Sequence, residues 1–297
     1  MPNRVRPRAI VEEVYGFAFP DDLYALSDFA RAHPDALAAL DLTLDGPFAL
    51  AAGEKTGVGK GWDPGGDRPR FYDDPPEFFT IAIGDGDASH WGYWFDDPAG
   101  LPPVVASFNH GGAMSFTAHG DSVFHAIRSQ LERLAREAHD STDTDKAERL
   151  DELSRCREQL GAYGLGERNE VGAAYLERHT PARDVSRKPV AKTRTGLGIV
   201  VPKNAYRAAA GDDPFQSPAF KPSATELAVA VQQAKQAIED GYAGSALKLG
   251  HDLWTYRDLA EPAHDLLERA YSALGRKVLR DYLKRVSSFR KRSESIR

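Results

Sequence analysis

Only one cysteine, Cys156, occurs in 297 residues. That excludes a disulfide framework and a cysteine-rich zinc site, and it suits a reducing compartment. Long apolar runs are missing: no stretch approaches the roughly 20 residues that span a bilayer. The N-terminal MPNRVRPRAIVEEVYG carries basic residues but no apolar core of signal-peptide length. Positive charge is in deficit too, with a net charge of −6. That argues against a general nucleic-acid or membrane binder, although the C-terminal LKRVSSFRKRSESIR is basic. These deficits predict a soluble intracellular protein with no direct nucleic-acid or membrane partner. No apolar seam is left over for self-association, so the free protein is expected to be a monomer.

Signatures of self-contained catalysis are also scarce. The nine histidines are scattered, and no pair has metal-ligand spacing with a third ligand nearby. There is no G-x-S-x-G elbow, no kinase signature set and no G-x-G-x-x-G after a strand. The Gly-rich stretch 53–66, GEKTGVGKGWDPGG, lacks phosphate-loop spacing and reads as a surface loop. Neither a metal nor a cofactor of its own is expected.

What is present is an α+β pattern. Hydrophobic content of 41% and charge of 28% are ordinary for a globular chain, and the length predicts two domains. Residues 1–190 read as an antiparallel sheet packed with helices. A helix follows Pro20-Asp21-Asp22, with Leu23, Leu26 and Phe29 inward. Strands are expected at 78–83, 90–95 and 103–108, and helices at 121–139 and 144–160. The Arg-, Lys- and Pro-rich stretch 178–192 is the expected connection. Residues 191–297 read as mainly helical. They open with a strand at Gly196–Pro202 and a loop at 203–222 that orders on contact, and end in four helices.

The first of those helices carries the candidate chemistry. Ser223 and Glu226 have capping-box spacing, and Leu227, Val231, Ala234 and Ile238 fall on one face. Gly241 stands where a left-handed cap is expected. Glu239 and Asp240 then lie at the negative end of the helix dipole, which biases a carboxyl pKa upward. A carboxylate held against its local preference is a candidate general base. The plainer reading is an acidic helix end dissolved in water.

Tyr72-Asp73-Asp74-Pro75-Pro76-Glu77-Phe78, followed by Thr80-Ile81-Ala82-Ile83-Gly84-Asp85, resembles the Y-D-P-P-E-F…T-I-I-I-G-D signature of the histone PARylation factor family. Further matches keep the family's order from about Val14 to the C-terminus. They include Tyr15-Gly16-Phe17, Leu44-Asp45-Gly46-Pro47-Phe48, Ala52-Gly53, Gly92-Tyr93-Trp94, Gly120-Asp121, Gly196–Pro202, Tyr206-Arg207, Leu249-Gly250 and Ala270-Tyr271. The resemblance implies an accessory factor that docks on a poly(ADP-ribose) polymerase holding NAD. It would complete that active site with a glutamate acting as general base on a substrate serine. The family's glutamate precedes a tyrosine by three residues, which assigns the base to Glu239 before Tyr242. Counting back from Leu249-Gly250 without a gap assigns it to Asp240 instead, which otherwise stands where the family has a cysteine. Arg207, with Tyr206 and Tyr242, inherits the contact with the polymerase.

Low lysine beside abundant Ala, Arg, Asp and Gly suits a bacterial source. The expected compartment is then the cytoplasm, or the nucleus if the chain is eukaryotic. The N-terminal half also resembles the SMI1/KNR4 immunity-protein superfamily, which implies surface binding without catalysis. A scaffold that keeps the docking surface without the chemistry is the third reading.

Overall fold

The computed structural model describes residues 5–48, 74–84, 89–109, 115–165, 186–208, 213–217 and 220–295. The stretch 53–66, the motif residues Ala52-Gly53 and Tyr72-Asp73, and most of the 178–192 connection lie outside the described residues.

Three helices open the chain: α1 (Val5–Tyr15), α2 (Asp21–Ala32) and α3 (Pro34–Ala38). A five-stranded antiparallel meander follows, in the order β1 (Leu42–Leu44), β2 (Phe78–Gly84), β3 (Ser89–Trp94), β4 (Val104–Asn109) and β5 (Phe116–Gly120). The three expected strands are its centre. The flanking β1 and β5 are additions, and neither LTL nor FTAHG carries a strong strand signal. Helices α4 (Val123–Asp140) and α5 (Lys146–Leu160) complete this half. The second half is helical: α6 (Ala224–Glu239), α7 (Ala243–Trp254), α8 (Ala260–Ala273) and α9 (Lys277–Ser295). The α+β expectation, sheet first and helices after, is what the chain adopts.

Almost every residue of β2 and β3 is buried, so the sheet is covered on both faces. Alternation along the strands divides the work. Phe79, Ile81, Tyr93 and Val105 face the main core, with Leu23, Phe29, Val123 and Leu131. There Tyr15, Phe17, Phe19, Phe79 and Phe95 form an edge-to-face cluster, and Tyr282 of α9 lies 4.6 Å from Phe79. Phe78, Trp94, Val104, Ala106, Phe108 and Phe116 face the other way, where Leu197 covers them.

The expected strand at Gly196–Pro202 is not formed. Only an isolated bridge pairs Ala191 with Ile199. The reason is backbone geometry: Gly196 and Gly198 have φ of +94° and +74°, outside the extended region. A Cβ on Gly198 would sit 2.3 Å from the Ala191 carbonyl oxygen. The apolar run is apolar because Leu197 covers the sheet while Ile199 and Val201 join the main core.

A buried polar seam ties the second half to the sheet. Glu77 Oε1 accepts hydrogen bonds from His251 Nε2 of α7 at 2.9 Å and from the Tyr271 hydroxyl of α8. Trp254 Nε1 donates to the Asp74 carbonyl at 3.0 Å. Burial alone would raise the Glu77 pKa, but the His251 charge and hydrogen bond, with the Tyr271 hydroxyl, outweigh it and hold the carboxyl below its ordinary range.

Candidate functional site: an acidic turn and an arginine arm

The capping box forms as its spacing predicts. The Glu226 backbone N–H donates to Ser223 Oγ at 3.3 Å, and the Ser223 N–H donates to Glu226 Oε2 at 2.8 Å. Ala234 is buried, and Leu227, Val231 and Ile238 pack against the core. At the other end α6 closes in a Schellman turn. Tyr242 N–H reaches the Ala237 carbonyl at 2.7 Å, and Gly241 N–H reaches Ile238 at 3.0 Å. Gly241 has φ +90°, which the turn needs. The chain then enters α7 at once, with Tyr242 in the cap position.

This turn gives its two carboxylates different surroundings. Both are exposed. Asp240 Oδ1 accepts from Gln236 Nε2 at 3.0 Å, and Oδ2 accepts from Arg207 Nη2 at 3.2 Å. Glu239 has no hydrogen-bond or ion-pair partner among the described residues. Through space it adds a minor share to the raised pKa of Arg269, which the hydrogen bond to Asp265 dominates. The expected upward bias fails for Asp240. The hydrogen bond from Gln236, and then that from Arg207, lower its pKa below the ordinary aspartate value. A guanidinium and a carboxamide in direct contact outweigh the diffuse field of a helix end.

Arg207 reaches the turn from the loop before α6. Its guanidinium lies over the Tyr242 ring, 4.4 Å from the centroid. Its backbone is held as well: the N–H donates to Ser245 Oγ at 3.1 Å, and the same hydroxyl donates to the Arg207 carbonyl at 2.7 Å. Gly244 makes this approach possible. A Cβ there would lie 2.8 Å from the Ala205 carbonyl oxygen and 3.3 Å from Tyr206 Cβ. Tyr206 is half-buried against the core, and burial raises its pKa. The described part of the 203–222 loop is thus anchored. Short turns at Lys203–Ala205 and Pro214–Gln216 shape it, Lys248 binds Asp213, and the Tyr256 hydroxyl donates to the Phe220 carbonyl at 2.6 Å.

Glu239, Asp240, Tyr242, Tyr206 and Arg207 therefore lie together, although the last two stand more than thirty positions upstream of the acidic pair. Sequence reasoning missed Gln236 and Ser245. Gln236 was findable, because it precedes Asp240 by four residues on a helix. Ser245 left no signal, since its partner is a backbone group of a distant loop. No group of three metal-ligating side chains occurs among the described residues, and none of their helices is long and apolar enough to cross a membrane.

The fold is thus an α+β platform that presents one uncommitted carboxylate beside a restrained arginine. The sequence model of the family described as Histone PARylation factor 1 matches residues 6–213. Three proteins named Histone PARylation factor 1 are similar along most of the chain. The one from Mus musculus is 31% identical, covering 93% of this chain and 86% of its own. Those from Bos taurus and Danio rerio are 29% and 31% identical, covering 93% and 88% of this chain and 84% and 81% of their own. The chain belongs to the histone PARylation factor 1 family. The family-model match spans residues 6–213 and ends before the acidic turn.

Proposed function

We propose that this protein docks on a poly(ADP-ribose) polymerase and supplies Glu239 as the general base for ADP-ribosylation of a serine-containing protein. The single observation that carries the choice of base is the contrast within the turn: Asp240 has both oxygens engaged, whereas Glu239 has no hydrogen-bond or ion-pair partner among the described residues. Membership of a family whose relatives are named for histone PARylation supports the polymerase as partner.

The chemistry follows from the nucleophile. A serine hydroxyl attacks poorly until a base takes its proton, whereas a carboxylate acceptor is already ionised. In the proposed step the serine Oγ forms a bond to the ribose anomeric carbon of NAD held by the polymerase. The bond from that carbon to nicotinamide breaks, nicotinamide leaves with the electron pair, and the serine proton passes to Glu239. Glu239 lies at the negative end of α6, and no cation among the described residues must be displaced from it first. Arg207, with Tyr206 and Tyr242, supplies the docking contact.

The test pairs the protein with a poly(ADP-ribose) polymerase from the same genome, NAD and a serine-containing peptide. Linkage is then read by hydroxylamine, which cleaves carboxylate esters and spares serine ethers. The expected product is hydroxylamine-resistant, appears only when the protein is present and disappears with Glu239→Gln. Unchanged linkage with and without a folded sample would reject the reading.

A further inference from the structure

Three restraints meet on one exposed arginine. Free arginine side chains sample many rotamers, and ordering one on docking weakens affinity. Here the backbone of Arg207 is fixed by Ser245, whose single hydroxyl serves both its N–H and its carbonyl. Its guanidinium is fixed by Asp240, and its plane rests on Tyr242. Asp240 is in turn held from behind by Gln236, on the same helix. Gln236, Asp240, Tyr242 and Ser245 lie within one continuous stretch that runs through the Schellman turn.

We infer that Gln236, Asp240 and Ser245 are positioning residues that preorganise Arg207 for the polymerase, so that one short turn fixes the spacing between docking arm and base. The inference rests on the functional reading given above. It divides the acidic pair by role: Asp240 orients the arm, and Glu239 is left to take the proton. It also accounts for the carboxylate at position 240, where the family resemblance places a cysteine. A thiol could not bind a guanidinium and a carboxamide together in this way, because it has one weakly accepting sulfur in place of two carboxylate oxygens. Ser245 is equally specific in its demand. It must donate and accept at once, which alanine cannot do and threonine can.

The experiment titrates the wild type, Arg207→Ala, Gln236→Ala, Asp240→Asn, Ser245→Ala and Ser245→Thr against the same polymerase by calorimetry. It also measures the rate of serine modification at saturating concentrations of each. Arg207→Ala is expected to weaken binding by about 30-fold or more, as a docking hot spot does. Gln236→Ala, Asp240→Asn and Ser245→Ala are each expected to weaken it about 3- to 10-fold, the scale of ordering one long side chain. Their rates at saturation stay at the wild-type level, and Ser245→Thr restores affinity. Most pointedly, Gln236→Ala and Asp240→Asn have no further effect once Arg207 is alanine, because they act only through it.

Wild-type affinity in the three positioning variants, beside a loss in Arg207→Ala, would overturn the inference and leave the functional reading standing. So would additive losses in the Arg207→Ala background. A collapse of the saturated rate in Asp240→Asn at unchanged affinity would make Asp240 the base. Wild-type protein that neither binds the polymerase nor alters linkage would reject the functional reading and this inference with it. Gln236 and Asp240 are exposed, so their variants remain informative even where Ser245→Ala folds poorly.

Discussion

Glu77 and Glu239 are the same side chain in opposite circumstances. Glu77 is 1% exposed, bridges the sheet to α7 and α8, and is bound on one oxygen by two donors. Glu239 is exposed at the end of a helix, with neither oxygen engaged among the described residues. The first is a carboxylate whose surroundings demand that it stay where it is. No contact among the described residues depends on the second. The comparison separates a carboxylate that holds this protein together from one that the proposed function leaves free to act on a substrate.

The largest way to break that comparison is Glu77→Ala. It strands His251 and Tyr271 in a buried site, and removing one partner of a buried pair costs about 3–5 kcal/mol. Urea unfolding should show the loss as a lower midpoint with an unchanged slope. Acid should reveal the same contact. The folded-state pKa of Glu77 lies below its ordinary value. Its contribution is therefore fully present above the unfolded carboxyl pKa, and is lost as pH falls through the lower folded one. Thermal melts of the wild type should fall more steeply on that acid limb than melts of Glu77→Gln, which has no carboxyl to titrate. Parallel acid limbs in the two proteins would show that the seam does not hold an ionised Glu77.

Smaller effects sharpen the other side. Gly241→Ala must place a Cβ at φ +90°, and left-handed backbone costs about 1–2 kcal/mol for a non-glycine residue. Nothing lies within 4 Å of that Cβ, so the cost is conformational and not a clash. Ser223→Ala removes the N-cap of the same helix at about 1 kcal/mol. Both are checked by chemical denaturation, and both should loosen the mounting of Glu239 and Asp240 without touching either carboxylate. A Gly241→Ala protein as stable as the wild type would mean that the turn is not the rigid mount described.

What the sequence disclosed follows the range of each signal. The capping box, the Gly241 turn and the three central strands are local patterns, and each formed where it was read. The strand at Gly196–Pro202 misled because its apolar run serves two cores, and its glycines bend the backbone out of the extended region. The acidic pair was legible as a pair, yet the different surroundings of its two carboxylates were not. The Asp240 pKa is lowered first by Gln236, four residues back on the helix, and then by Arg207, 33 positions away in sequence, and no helix-dipole argument contains either. The Ser245 hydroxyl was hidden for the same reason, since its partner is backbone that only the folded loop brings near.

The smallest effect is the most telling. Glu239→Gln should leave stability within about 0.5 kcal/mol of the wild type, as expected for an exposed side chain in the last turn that makes no contact of its own among the described residues. Two weak terms oppose each other there. Removing a negative charge from the last turn relieves repulsion from the helix dipole, and it also removes a distant attraction to Arg269. Neither term is a contact, so both fade with salt. Serine modification, by contrast, should fall about 100- to 10,000-fold, the range of a lost general base. A residue that matters so much to the reaction and so little to the fold is the signature expected of a carboxylate displayed for a partner. Were Glu239→Gln to unfold the protein as Glu77→Ala does, the two glutamates would be doing the same job, and the division drawn between them would fail.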